Sequence, residues 1–225
     1  MSRKEIQRNR TRKYFIEACE QIIASDGLEG VTLRKVADLA GYNSATLYNY
    51  FDSLEHLLLY TSFKKLGPYL QKLKELPPNS DGLAYFLSVW RVFAEEAFQQ
   101  PLEYYRMFFE FSGEYMAEAL STYYALYPEV LEGVGDELRP MLERASLWNR
   151  NLALLKQCMP TKLVEADMVA MNDILILVFQ GMLLRVKNGE QGEDSVQALI
   201  NCYDHVLVGY NCRSRCDHSC EISIH

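Results

Sequence analysis

Apolar residues recur at intervals of three and four along most of the chain, the period of a helix with one buried face. From about Arg10 to Asp26, residues Tyr14, Phe15, Ala18, Cys19, Ile22 and Ile23 share a side, and Gly27 ends the run. Thr32 is placed to cap a short second helix carrying Leu33, Val36, Ala37 and Ala40, which stops at Gly41. Asn43 or Ser44 can cap a third segment, Ala45 to Phe51, with Leu47, Tyr50 and Phe51 turned inward. Asp52 or Ser53 begins a longer helix reaching about Leu73. After the turn-rich stretch Leu76-Pro77-Pro78-Asn79-Ser80-Asp81-Gly82, helical periodicity resumes near 82–99, 102–126, 138–158, 163–188 and 194–210. No stretch alternates as a strand does, so the pattern predicts an all-α fold.

The two short helices flanking Gly41 have the proportions of a helix-turn-helix, in which the outer face of the second helix enters a DNA major groove. That groove is about 12 Å wide and admits one helix if its leading residues are small or polar. Ser44, Ala45, Thr46 and Asn49 meet the condition, and the hydroxyls of Tyr48 and Tyr50 can reach phosphates.

The stretch GLEGVTLRKVADLAGYNSATLYNYFDSLEHLL resembles the DNA-binding motif of the TetR family over about residues 10 to 60. Two features carry the likeness: Gly27 followed by Thr32 and Val36-Ala37, and the Ala-Thr-Leu-Tyr-x-Tyr-Phe block at Ala45 to Phe51. The resemblance implies that Arg34, Ser44 and Ala45 face base edges while Thr46, Tyr48 and Tyr50 hold phosphates, with Lys35 and Asn49 as further contacts. It implies a domain order of an N-terminal three-helix helix-turn-helix domain with a basic arm (1–62), a larger helical ligand-binding and dimerisation domain (63–210) and a Cys/His-containing tail (211–225). The implied partners are operator DNA, a small-molecule effector and a second copy of the chain. The motif departs from the family at Leu54, where members often carry a phosphate-binding lysine; Arg10, Arg12 and Lys13 are placed to compensate along the DNA backbone.

Charge sharpens this division. The formal net charge is -7, yet residues 1–65 hold ten Lys/Arg against eight Asp/Glu, leaving 13 against 22 for the remainder. The basic end is the N-terminus, where Arg3, Lys4, Arg8, Arg10, Arg12 and Lys13 face the single acid Glu5. The opening residues lack the apolar stretch of a signal peptide, and no apolar run approaches the ~18 to 20 residues of a membrane span, so a cytoplasmic protein with no membrane partner is expected.

Residues 83–127 contain fourteen of the chain's 27 aromatics. Each could be plain core, but buried tyrosines and tryptophans bring polar groups that need partners. A mostly apolar wall with a few polar anchors is the composition of a small-ligand pocket. Trp90, Phe93, Tyr105, Phe108, Phe109, Tyr123 and Trp148 are the candidate lining residues. A hydrophobic or aromatic effector is expected, cationic if the acidic balance of this region extends to its pocket. Its binding should release the operator, through the continuous helix from Ser53 to about Leu73. The helix spanning Leu163 to Lys187 is apolar around much of its circumference, so it is either an internal core helix or, paired with the segment carrying Val196 to Leu207, half of a four-helix dimer interface.

Cys212, Cys216 and Cys220 lie at i, i+4 and i+8. On a helix they form one stripe, which packs as a plain tail, holds a thiophilic metal as thiolates, or forms disulfides as a redox switch. No other cofactor is expected. HExxH, the P-loop pattern and G-x-S-x-G are all absent, so the sequence offers no catalytic constellation. The alternative to a DNA-binding regulator is a helical ligand-binding or adaptor protein that does not bind DNA.

Overall fold

A computed structural model of the chain describes residues 2–77, 81–111, 113–159, 164–190 and 194–220, without the side chains of 113, 114 and 211–220. Among the described residues there are helices and no strands. The chain forms two compact units that are not contiguous in sequence. One comprises residues 1–67 and 110–132, the other 68–109 and 133–225. The sequence division at 62/63 thus meets a more interleaved architecture, in which a later segment joins the N-terminal helices.

In the first unit, α1 (Arg3–Asp26) starts seven residues earlier than periodicity suggests. Ser2 and Glu5 explain this: the Glu5 backbone N–H donates to the Ser2 hydroxyl and the Glu5 carboxylate accepts from the Ser2 N–H, a capping box that satisfies two free donors. The basic residues of the expected N-terminal arm are therefore helical. α2 (Leu33–Leu39), α3 (Ser44–Tyr48) and α4 (Leu54–Phe63) follow, with α1 packed on α2 and α4, and α2 on α3. Phe15, Val36, Ala37, Leu47, Phe51, Leu57 and Tyr60 are fully buried among them. The Phe51 ring meets Phe15 edge-on at 6.2 Å and Tyr60 at 5.3 Å, offset geometries that aromatic pairs prefer. α8 (Gly113–Leu126) completes this unit against α4 and α1.

The helix from Ser53 to Leu73 is not continuous. α4 ends at Phe63, Lys64–Leu66 form a 3₁₀ turn, and α5 (Gly67–Leu73) begins afresh. Pro68 supplies the reason, since it has no N–H and its ring would strike the carbonyl four residues earlier. The division between the units falls here as well, at Gly67/Pro68.

The second unit is built on α6 (Gly82–Gln99), α10 (Leu147–Cys158), α11 (Glu165–Lys187) and α12 (Ser195–Cys220), with α6 against α10, α11 and α12, and α11 against α10 and α12. The short α7 (Pro101–Tyr105) packs on α6 and α11, and α9 (Arg139–Leu142) on α10. Two predicted segments are broken. The run near 102–126 passes from α7 into a π turn at Arg106–Glu110 and resumes as α8, and the run near 138–158 divides because Ser146 caps a new start at Leu147. By length and composition α11 would suffice to cross a membrane, which the sequence reading did not foresee because Asp167, Asp173 and Arg185 interrupt it. Its apolar character has another use: Met171, Leu175, Phe179 and Leu183 are buried within the unit.

Candidate functional site

The helix-turn-helix is positioned by its caps. Thr32 accepts from the Lys35 N–H at 3.2 Å, fixing the start of α2. Gly41 ends that helix at φ 78°, a left-handed conformation costly for any residue with a Cβ, while the Tyr42 N–H returns to the Ala37 carbonyl at 2.9 Å. Two residues on, Asn43 accepts from the Thr46 N–H at 2.8 Å and from the Thr46 hydroxyl at 3.0 Å, so α3 starts at a defined place and angle. Ser53 repeats the device for α4, accepting from the His56 N–H at 3.1 Å.

Leu47 alone buries its side chain on α3. Its neighbours are left outward: Ala45, Tyr48 and Asn49 are exposed, and Ser44, Thr46 and Tyr50 are half-buried. Tyr48 keeps 56% of its surface exposed, unusual for an aromatic beside a packed core. On α2 both Arg34 and Lys35 are exposed, but they differ. Arg34 has a weak surface pairing with Asp38 at 3.9 Å, whereas Lys35 holds Asp26 at 3.1 Å. That hydrogen bond keeps the Asp26 carboxyl below its ordinary range.

The basic residues of α1 divide in two. Arg3, Lys4, Arg8 and Arg10 are exposed. Arg12 is mostly buried, 3.7 Å from Glu118 and over the Tyr60 ring, and Lys13 lies 4.5 Å from the Tyr127 ring centre. Arg12 and Lys13 thus have partners within their own unit, whereas Arg8 is exposed with its guanidinium 5.9 Å from the Tyr50 ring. Tyr42 was missed by sequence reasoning. It sits in the turn with its ring against Tyr14 and Phe15, a placement its position after Gly41 could have signalled.

α3 is thus a helix held from behind by one leucine, with a small, polar and aromatic front. In sequence, residues 15–61 match the profile of the bacterial regulatory proteins of the tetR family. The helix-turn-helix is of the TetR family. Among solved structures, the chain is similar to Thermus thermophilus FadR, a TetR-family transcriptional repressor crystallised with lauroyl-CoA, at 17% identity over 87% of this chain and 93% of that one, with a TM-score of 0.56. It is similar also to a TetR transcriptional regulator from Rhodococcus sp. RHA1, at 18% identity over 91% and 98% of the two chains, with a TM-score of 0.47. No curated protein matches the chain in sequence. The likeness in fold to FadR extends through most of the chain, well beyond the matched motif.

Within the second unit, Tyr69, Val89, Trp90, Phe93, Met141, Leu147, Arg150, Asn151 and Leu154 surround a cavity of about 20 Å³. That volume holds one water-sized sphere. Of the expected pocket residues, Trp90 and Phe93 line it. Phe108 touches its edge through Phe93, with ring centres 5.6 Å apart. Tyr105 and Phe109 pair with each other at 5.4 Å, and Phe109 reaches Phe179 at 6.3 Å. Trp148 lies on the outer part of α10, donating to Asp173. Tyr123 belongs to the other unit, where it stacks on Phe63 at 6.0 Å and burial raises its hydroxyl far above the ordinary range.

Arg150 was overlooked by the sequence reading although its near neighbour Trp148 was among the candidate lining residues. The signal was present: Leu147, Leu154 and Leu155 place residues 150 and 151 on the same buried face of α10. The proposed metal ligands Cys212, Cys216 and Cys220 lie on the C-terminal part of α12, and their side chains fall outside the described residues.

Proposed function

We propose that this protein is a ligand-responsive transcriptional regulator, a homodimer that represses by holding operator DNA and lets go when a small effector binds its second unit. The observation that carries the DNA reading is the outward face of α3, where Ala45, Tyr48 and Asn49 are exposed around a single buried leucine. Arg34 adds a bidentate donor suited to guanine, and Ser44, Thr46 and Tyr50 supply hydroxyls for base edges and phosphates. The family match over 15–61 supports the same assignment.

Dimerisation is supported by α11. Its exposed side presents Ile174, Leu177, Gly181 and Leu184 at helical spacing, with Leu177 65% exposed. On α12, Ala198, Cys202, His205 and Gly209 are likewise exposed. Two such faces from two copies make a four-helix interface, which explains an apolar helix better than a membrane does. The protein is read as a cytoplasmic binding protein without catalytic activity. The decisive experiment selects genomic fragments with the purified protein and footprints them: two protected half-sites one helical turn apart support the reading, and unselective recovery of DNA favours the helical adaptor alternative.

A further inference from the structure

We infer that the effector is an organic anion, an aromatic or other apolar group bearing a carboxylate, and that Arg150 is the side chain that pairs with it. This rests on reading the second unit as the effector-binding part.

Arg150 is 3% exposed on the inner face of α10 and lines the cavity. Its Nε donates to the Arg144 carbonyl at 2.7 Å and its Nη2 to the Leu142 carbonyl at 3.5 Å, while Nη1 has no partner. Among the described residues no carboxylate pairs with it. A guanidinium remains charged in any protein, and carbonyl dipoles offset that charge poorly. The Phe108 ring, 5.6 Å from Cζ, offers its electron-rich face but no hydrogen-bond acceptor.

The other polar groups at this wall are already satisfied. Trp90 Nε1 donates to Asn151 Oδ1 at 2.7 Å, Asn151 Nδ2 to Asn172 Oδ1 at 2.9 Å, and Asn172 Nδ2 to the Trp148 carbonyl at 3.3 Å. What remains is one buried cation in a wall of Val89, Trp90, Phe93, Met141 and Leu147. The local charge is thus opposite to that of the acidic region as a whole, and a cationic effector is disfavoured at this place. A carboxylate supplies both the missing acceptor and the missing countercharge, and an apolar body suits the rest of the wall.

At about 20 Å³ the cavity must widen to admit such a ligand. Phe108 is the side chain positioned to yield, since it covers the guanidinium from the π turn Arg106–Glu110, an irregular backbone of the kind found at functional sites. That turn also leads out of the unit, because Glu110 is the first residue of the segment belonging with the helix-turn-helix.

The test uses the full-length protein without DNA. Benzoate, phenylacetate, trans-cinnamate and indole-3-acetate are each titrated beside the matching primary amide, by calorimetry and thermal shift. At least one acid is expected to bind, with its amide weaker by about tenfold or more, the cost of losing a charged hydrogen bond. Arg150→Gln should erase that preference and Arg150→Lys should keep part of it. Because Arg150 also holds two carbonyls, Phe108→Ala provides an arm with the cation intact: it should preserve the preference for acids and admit bulkier ones. Binding by no acid, equal binding of acids and amides, or unchanged acid binding in Arg150→Gln overturns the inference and leaves Arg150 a structural clamp with a trapped water. Operator release is measured separately. Release by neutral compounds alone removes the anion site but not the regulator; acid binding through Arg150 without any effect on DNA does the reverse.

Discussion

Tyr48 exposes 56% of its surface, and Arg34 extends from α2 with its side chain 87% exposed. Neither supports the fold, so their removal should be visible in DNA binding and nowhere else. Tyr48→Ala is expected to weaken all operators about equally, and Arg34→Ala to cost ~1 to 3 kcal/mol and relax preference at one base pair; competition binding on selected sites against scrambled ones distinguishes them, with melting temperatures unchanged. Their outward placement was legible in the sequence because the motif is short and local. Arg12 and Lys13 were not, since their partners Glu118 and Tyr127 lie over a hundred residues away. His56 was similarly hidden. The Asp52 N–H donates to its Nδ1 at 3.2 Å, and burial holds the ring below its ordinary 6.5, against the upward pull of Asp52 and Glu118 and with the help of Arg12. Just below 6.5 the folded unit therefore binds fewer protons than the unfolded chain. Stability should be full above pH 6.5, fall as the pH drops, and level off below the lowered value. Urea midpoints between pH 7.5 and 5 should show this slope in the parent and a smaller one in His56→Asn.

At the scale of helices, the caps at Thr32, Asn43 and Ser53 stand where local chemistry put them, because capping is decided within four residues. Asn43→Ala should cost ~1 kcal/mol and loosen α3, lowering DNA affinity together with stability in chemical denaturation. The interruptions were harder to read. Pro68 announces a break, whereas the π turn at Arg106–Glu110 contains no proline or glycine to mark it. Gly82 is another such case. It resembles an ordinary residue of a turn-rich stretch, yet a Cβ there would strike the Cys158 carbonyl oxygen, at the close approach of α6 and α10. Gly82→Ala should therefore destabilise the second unit by ~1 to 3 kcal/mol, lowering its melting temperature while the helix-turn-helix keeps its fold.

For the molecule as a whole, the opposed charge of its two ends suits a protein that meets DNA at one of them, and helical periodicity was enough to show the all-α class. The two units were not legible, because the return of residues 110–132 to the N-terminal helices depends on long-range contacts that no local pattern records. If the face of Ile174, Leu177 and Leu184 joins two copies, Leu177→Glu should give monomers by sedimentation and lose cooperative binding to paired half-sites, with the monomer still helical. Two joined reading heads must stand about 34 to 36 Å apart to meet successive major grooves on one side of the duplex. An effector that favours another spacing must weaken DNA binding, and DNA must weaken effector binding by the same factor. The central claim is therefore tested most directly by operator affinity with and without a saturating ligand of independently measured binding. The account predicts affinity lower by ~5- to 150-fold at saturation; an operator affinity unchanged by the bound ligand would contradict it.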